Sequence, residues 1–460
     1  MDVCRRRFLT FNVCGINNLK KVEPWKSLGD LRSMFDFLEA DVICFQETKL
    51  QSKDLSKDHA IVLGFHSYFS FSRERKGYSG VVIYVRDNIS VVQAEEGLTG
   101  WLGCGLGTYK DLVPSIGGYP TVTRAKGVEI DSEGRVVVLD LVDLVIIGAY
   151  CPANASGNRT EYRDEFFELL DQRIRNLMSM GRNILLFGDI NVTRDLIDSA
   201  ELIVKSKGPH ATEVMEPWTN SLPRKIINEL IDSGLVDTTR ERYKDQRGIY
   251  THWNQMLNSR PSNFGNRLDY ILVSSSIECV DADIIPELLG SDHCPVYADL
   301  VLSNRKVWEI PALADKTLRR FKTADLNAHF KSLSDTPPAR TPETAPLVQE
   351  PAKSPKKRVA QHTITALFGH PPPKAKRDDR NAKVVVREAS IEKVQPASQD
   401  QWKSIFTRKV PKCLHNQDCK LLVSKKPGRN KGRAFWVCQR PYGEPDNPEA
   451  RCNFFKWANN

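Results

Sequence analysis

Ile184-Leu185-Leu186-Phe187-Gly188-Asp189-Ile190-Asn191 is a run of four large apolar residues that ends in a glycine and two polar side chains. A short apolar run bounded in this way predicts a buried strand. Polar residues at its end stand where a rigid sheet presents side chains to a cleft. The pattern recurs in Phe8-Leu9-Thr10-Phe11-Asn12, in Val42-Ile43-Cys44-Phe45-Gln46-Glu47-Thr48 and in Val145-Ile146-Ile147-Gly148-Ala149-Tyr150. It recurs again around Arg267-Leu268-Asp269-Tyr270 and at Gly290-Ser291-Asp292-His293. Val81 to Val85 and Val136 to Leu139 are further apolar runs, while Leu28 to Leu38, Tyr162 to Met180 and Arg224 to Ile231 carry apolar residues at helical spacing. The first 300 residues therefore predict an α/β or α+β domain with a substantial sheet.

Length and charge set bounds on the rest. The 460 residues, 40% of them hydrophobic, support one core of about 250 to 300 residues with polar appendages. Residues 1–300 hold 34 Lys and Arg against 42 Asp and Glu, and residues 301–460 hold 32 against 15, so a front of charge −8 is followed by a tail of +17. A tail of that sign is drawn to phosphate backbones by counterion release, which the acidic front is not. The amino terminus has no secretory pattern and no apolar stretch reaches the ~18 residues of a membrane span, so a soluble intracellular chain is expected. Seven cysteines are scattered singly and four, Cys413, Cys419, Cys438 and Cys452, crowd the end. Reduced thiols plus a metal site fit that pattern better than a disulfide framework.

The strand-end residues comprise four carboxylates (Glu47, Asp189, Asp269, Asp292), two carboxamides (Asn12, Asn191), the Tyr150 phenol and the His293 imidazole. Phosphodiester hydrolysis requires this inventory. Glu47 and Asp292 offer oxygen ligands to a hard cation. Asp189, held by Asn191, is a base for water. His293, Tyr150 and the metal ion can stabilise the extra charge of a pentacovalent phosphate, and Asp269 can orient a cationic His293. One such Asp or His is more often a helix cap or a satisfied structural group. Six signals in one domain reverse that balance.

Thr10-Phe11-Asn12-Val13-Cys14-Gly15-Ile16, Gln46-Glu47-Thr48-Lys49, Gly188-Asp189-Ile190-Asn191, Asn266-Arg267-Leu268-Asp269-Tyr270 and Gly290-Ser291-Asp292-His293-Cys294-Pro295 resemble, in order, the motifs of the exonuclease III branch of the endonuclease/exonuclease/phosphatase superfamily. The resemblance implies a four-layered α/β sandwich over residues 1–303. It also implies Mg²⁺-dependent chemistry, with Mn²⁺ as a substitute: cleavage 5′ to abasic sites, 3′-phosphodiesterase and 3′–5′ exonuclease. By the same matching Asn12 and Glu47 lie at the metal site with Asp292, Asp189 is the base with Asn191 as its partner, and Asp269 orients His293 on the phosphate beside Tyr150. The sequence departs from the family where Cys14 replaces an acidic metal ligand and where His252 and Asn266 replace bulky aromatics of the abasic-sugar pocket. A more polar, open pocket is expected, favouring work on 3′ termini over abasic incision.

Residues 304–408 are rich in Pro, Ala, Lys and Thr and predict a mostly disordered linker. Within it Gln361, Ile364, Leu367 and Phe368 resemble the box that binds the sliding clamp PCNA, one helical turn presenting three apolar side chains to a pocket. Gln399 to Phe406 imitates that spacing, and the basic run 353–358 resembles a nuclear import signal. Residues 409–457 pair Cys413, His415, Cys438 and Cys452 as candidate ligands of a structural Zn²⁺, with Cys419 an alternative to His415. Together with Gly432-Arg433-Ala434-Phe435 and Cys452-Asn453-Phe454-Phe455-Lys456-Trp457 they resemble a GRF zinc finger. That resemblance implies single-stranded DNA binding, for which Lys425, Lys426, Arg429, Lys431, Arg433 and Phe435 are the candidates. The combined expectation is a nuclear, monomeric base excision repair nuclease acting on abasic, 3′-blocked and gapped or single-stranded DNA. The competing readings are an enzyme of the same superfamily with another substrate, such as a phosphatase, and a non-enzymatic DNA-binding scaffold.

Overall fold

The computed structural model describes residues 3–104, 107–153, 157–303, 410–425 and 430–458. The clamp-binding box, its imitation at 399–406 and the basic run 353–358 lie outside them. Twelve strands build the front domain: β1 (Val3–Asn12), β2 (Val42–Gln46), β3 (Phe65–Ser70), β4 (Val81–Arg86), β5 (Gln93–Glu96), β6 (Val136–Asp140), β7 (Val145–Tyr150), β8 (Ile184–Asp189), β9 (Leu235–Asp237), β10 (Asp269–Ser274), β11 (Cys279–Ile284) and β12 (Val296–Ser303). They form two six-stranded sheets in the orders β11-β12-β1-β2-β4-β3 and β5-β6-β7-β8-β10-β9. Only β1 with β2 and β7 with β8 run parallel; the other pairs are antiparallel.

The apolar runs are continuous rather than alternating because each strand is buried on both faces. Val137, Leu139, Ile146, Leu185 and Phe187 of the second sheet pack on Phe8, Val42, Cys44, Ile83 and Val85 of the first. Their neighbours Val136, Val138, Ile147, Ile184 and Leu186 face the helices Thr160–Ser179 and Leu222–Asp232 instead. On the far side Leu9, Phe11, Ile43 and Phe45 pack on Leu31, Met34 and Phe35 of the helix Leu31–Phe37, whose amino end is capped by Asp30 accepting from the Ser33 N–H. The result is helix, sheet, sheet, helix, the four layers expected.

Five strands were not readable as apolar runs, and β5 shows why. Half of Gln93–Glu96 is glutamate, yet Glu95 pairs with the fully buried Arg173 at 2.8 Å and Glu96 with Arg73 at 3.0 Å. The partners that make those charges tolerable lie 78 and 23 residues away.

Beneath the second sheet's end, Arg267 donates to Asp198 at 2.8 and 3.0 Å and to Asp237 at 3.0 and 2.8 Å. Arg240 adds a further bond to Asp198 at 3.1 Å. Burial alone would raise Asp198, but Arg267 and then Arg240 hold its carboxyl down at about 2. The stabilisation is thus complete above the unfolded value of about 3.9 and is lost as pH falls through about 2. Arg267→Met, which removes the shared partner of two buried carboxylates and leaves Asp198 to Arg240 and Asp237 to the more distant Arg194 at 3.5 Å, should lower the unfolding free energy by about 3 kcal/mol in urea titrations at neutral pH. Unchanged stability would mean that this network contributes nothing.

Candidate active site

The parallel pairs β1–β2 and β7–β8 carry their carboxyl ends to one place. Asn12 and Gln46 are register partners there, as are Tyr150 and Asp189, and Asp189 also faces Asp269 across the antiparallel β8–β10 pair. Gly188 makes the last turn of β8 possible: at φ 147° a Cβ would lie 1.9 Å from the Ala149 carbonyl oxygen. Glu47 and Asn191, just past their strands, hold left-handed backbone at φ 50° and 54°. Such conformations persist where surrounding contacts over-determine them.

Asn12 joins the two sheets. Its Nδ2 donates to Glu47 Oε1 at 3.0 Å and to Asp189 Oδ2 at 2.8 Å, while its Oδ1 accepts from the Cys14 N–H at 3.0 Å. Glu47 Oε1 also accepts from the Tyr150 hydroxyl at 2.9 Å, and Glu47 Oε2 lies 3.0 Å from Lys49 Nζ. Burial would raise Glu47, but the Asn12 bond, the Lys49 charge and the Tyr150 bond keep it below the ordinary carboxylate value, so it is ionised. Burial and the negative charges of Glu47 and Asp189 push the Tyr150 phenol far up, leaving it a donor.

Asp189 is buried. Its Oδ1 accepts from the Asn191 main-chain N–H at 3.1 Å, and the Asn191 side chain is turned onto the Cys151 carbonyl at 3.0 Å. Asn191 therefore orients Asp189 through its backbone. His293 Nδ1 sits 2.7 Å from Asp269 Oδ2, and His293 Nε2 lies 3.8 Å from Asp189 Oδ2. Burial, with the nearby Asp269 charge, raises Asp189 despite the opposing charge of His293. Burial opposes the charge on His293, but Asp269 and Asp189 outweigh it and hold the imidazole protonated at neutral pH. Asp189, Asp269 and His293 bring ligand atoms within 4.8 Å of one another. Their direct short His–Asp bond marks them as a proton-handling set.

Asp292 arrives on the loop before β12, which Ser291 fastens by donating to the Asn12 carbonyl at 2.7 Å. Asp292 and Glu47 both raise the half-buried Cys14 thiol, which burial raises first. The thiol rests 3.3 Å from Lys49 Nζ. The Lys49 ammonium thus occupies the space against Glu47 that a cation would take. Hard oxygen donors from Glu47 and Asp292 suit a divalent ion of the Mg²⁺ kind, whereas Asn12 turns its Nδ2 to Glu47 and its Oδ1 to the Cys14 N–H.

Three supporting residues carried no signal of their own in sequence. Arg135 lies 4.7 Å from the Tyr150 ring centroid and donates to the Tyr150 carbonyl at 3.0 Å. Arg260 donates to the carbonyls of Ser291 and His293 at 2.9 and 3.3 Å. Trp218 joins Asn191, Asn266, Leu268, Arg163 and Arg224 around a cavity of about 460 Å³ beside the site. His252 stands with its ring centroid 4.7 Å from that of His293. Burial first, and His293 next, hold it neutral. Asn266 lines the cavity together with the Trp218 indole, while His252 is not among its lining residues and pairs with Asn266 through the backbone.

In the terminal module β13 (Cys419–Val423), β14 (Ala434–Cys438) and β15 (Phe455–Trp457) form an antiparallel sheet. Ligand atoms of Cys413, His415, Cys438 and Cys452 lie within 4.8 Å of one another, with His415 Nδ1 3.7 Å from Cys413 Sγ and 3.5 Å from Cys438 Sγ. Separations of that size suit the edges of a tetrahedral thiolate and imidazole site, and these four residues would hold a structural ion of the Zn²⁺ kind. Cys419 is buried nearby and is not one of the four that converge. Lys425, Lys431 and Arg433 are exposed, whereas Lys426 and Arg429 lie outside the described residues. Phe435, Phe455 and Trp457 cluster with centroids 5.1–5.7 Å apart, and Arg433 lies 4.2 Å from the Trp457 ring centroid.

The sequence profile of the endonuclease/exonuclease/phosphatase family matches residues 9–293, and that of the GRF zinc finger matches residues 411–460. The chain belongs to the endonuclease/exonuclease/phosphatase family. Over 98% of its length it is 33% identical to DNA-(apurinic or apyrimidinic site) endonuclease 2 of Saccharomyces cerevisiae, covering 97% of that protein. It is 29% identical to the Homo sapiens protein of the same name, with 92% and 93% of the two chains covered. The Xenopus laevis APE2 catalytic domain superposes with a TM-score of 0.56 at 29% identity, covering 68% of this chain and 97% of that one. Fold, site and both modules together define a DNA repair nuclease of the AP endonuclease 2 type.

Asp269→Asn keeps the shape of the orienting group but removes the charge that holds His293 protonated. Steady-state kinetics should show kcat lowered by about 10²–10⁴-fold with an unchanged circular dichroism spectrum. A loss under threefold would rule out the orienting role of Asp269.

Proposed function

We propose that this nuclease hydrolyses DNA phosphodiesters with Mg²⁺, or with Mn²⁺ in its place. It acts in base excision repair as a 3′–5′ exonuclease and 3′-phosphodiesterase, and more weakly as an abasic-site endonuclease. The observation that carries this reading is the buried Asp189 carboxylate, held between the Asn12 amide and the charged His293, with Asn12, Glu47 and Asp292 at its side. Asp189, kept basic by its raised affinity for a proton, removes a proton from water. His293, oriented by Asp269, donates toward a phosphate oxygen. Tyr150 stays protonated and donates to the same developing charge. Glu47, fixed by Asn12, and Asp292 would hold the ion, which when bound supplies Lewis-acid stabilisation to phosphate oxygens.

The polar residues His252 and Asn266 favour a 3′-terminal nucleotide over an extruded abasic sugar, because a snug apolar pocket is what rewards extrusion. In the terminal module Zn²⁺ on Cys413, His415, Cys438 and Cys452 is structural. Single-stranded DNA is bound by Lys425, Lys426, Arg429, Lys431, Arg433 and Phe435. The exposed ring of Phe455 and the partly exposed ring of Trp457 extend the stacking surface. Gln361, Ile364, Leu367 and Phe368 bind the sliding clamp PCNA, the run 353–358 directs the monomer to the nucleus, and the substrates are abasic, 3′-blocked and gapped DNA.

Asp189→Asn should lower the rate on 3′-recessed DNA by about 10²–10⁴-fold while leaving DNA affinity in Ca²⁺ within twofold. Undiminished Mg²⁺-dependent activity would remove Asp189 as the base. The second test sets kcat/KM on an abasic duplex against that on a 3′-recessed mismatch. The mismatch is expected to be preferred, and a large preference for the abasic duplex would overturn the substrate assignment.

A further inference from the structure

The terminal module and the front domain belong to one compact unit, and among the described residues a short loop of the module meets the front domain. Tyr442, Gly443 and Glu444 lie between Cys438 and Cys452, two members of the converging set. Tyr442 stands edge-on to Phe264 at 5.2 Å between centroids, and its carbonyl accepts from the Ser262 hydroxyl. The Tyr442 N–H reaches the Leu257 carbonyl at 3.4 Å. Glu444 pairs with Arg247 at 2.9 Å. Gly443 permits the approach: a Cβ there would meet Ala450 Cβ at 2.9 Å and Ser262 Cβ at 3.1 Å.

The receiving segment, residues 247–264, faces the catalytic loop with its other groups. Trp253 N–H donates to the Asp292 carbonyl at 2.9 Å. Arg260, between the docking residues Leu257 and Ser262, gathers four carbonyls of the Pro286–His293 loop: Pro286, Leu288, Ser291 and His293. Arg260 also lies 4.5 Å from the Trp253 ring centroid. Residues 257–264 therefore have two faces, one bound by the terminal module and one clamping the backbone of Asp292 and His293.

We propose that the Tyr442–Glu444 loop is a docking element that seats the terminal module on residues 247–264. The seat sets the module at a fixed place beside the active site and rigidifies the segment that positions the Asp292–His293 backbone. A DNA molecule with a single-stranded run leading to a 3′ end is then held at two points of one rigid frame, which raises its effective concentration at the catalytic carboxylates. Arg260 is a positioning residue in this scheme and touches no substrate. The benefit to gapped DNA rests on the proposed single-strand binding by the module; the docking itself does not.

The test uses the full-length, metal-loaded chain with Arg247→Glu, Glu444→Arg and the double variant. Amide hydrogen exchange of residues 254–264 should quicken in each single variant and return to the parental rate in the double one, where the ion pair is restored with its charges exchanged. kcat/KM on gapped DNA should fall about tenfold in each single variant and recover to within twofold in the double. Hydrolysis of bis(p-nitrophenyl) phosphate, which reads the Asp292–His293 loop alone, should fall by less than threefold in each single variant, and a tenfold fall there equal to that on gapped DNA would overturn the two-point holding. Exchange unaffected by the single variants, or not rescued in the double, overturns the docking. Exchange that follows the prediction while rates on gapped DNA stay level keeps the docking and overturns its role in substrate choice. Affinity of the parental chain for a single-stranded oligonucleotide, measured in parallel, shows separately whether the module binds DNA.

Discussion

One carboxamide spans the seam between the two sheets. Asn12 ends β1 in the first sheet and donates to Asp189, which ends β8 in the second, while its other hydrogen goes to Glu47. Apolar packing between the sheets is non-directional and could tolerate small slides. A hydrogen bond of 2.8 Å to a buried carboxylate could not. The amide is itself fixed, because its oxygen accepts from the Cys14 N–H where the chain leaves β1 in left-handed conformation. The Asn12 carbonyl then anchors Ser291 and with it the loop that carries Asp292 and His293. The position of the Glu47 carboxylate and that of the Asp189–His293–Asp269 set are thus referred to a single side chain.

Charge is handled in two different ways around this seam. Under the sheet end, Arg267 and Arg240 neutralise Asp198 and Asp237 completely, and Asp198 has its proton affinity lowered. Above it, Asp189 has a carboxamide and a His at 3.8 Å for company, and its proton affinity rises. The same residue type is made inert in one place and basic in the other by the number of cationic donors within reach. Two further side chains act on the rim of this arrangement. Cys14 brings a thiol of raised proton affinity to Lys49, and His252 sets a neutral ring against the charged His293.

The strand runs, the three long helices and the strand-end polar residues were legible because their signals are local. Period, hydrophobicity and position after an apolar run can be read within about ten residues. Gln93–Glu96 was not legible as a strand, since its glutamates are rendered burial-competent by Arg173 and Arg73. The pairing of Asn191 with Asp189 was legible, but not the atom that makes it: the bond comes from the main chain, and this depends on the left-handed turn at Asn191 and on the Cys151 carbonyl. In sequence His415 was the fourth ligand, with Cys419 as its alternative. They differ in the fold because Cys419 opens β13 opposite Cys438 while His415 turns its Nδ1 toward the sulfurs.

By itself the sequence singled out the polar residues that stand at the strand ends, the layered α/β character of the front and a Cys-rich module within a basic tail. Each follows from residue type and short-range spacing, which are written in the chain. Tertiary structure alone decided that Asn12 bridges two carboxylates, that Arg135 underlies Tyr150, that Trp218 enters the pocket wall and that Tyr442 meets Phe264. Those contacts join residues tens to hundreds of positions apart. Only the closing of two sheets and the packing of side chains in a dense, low-dielectric interior selects such pairs.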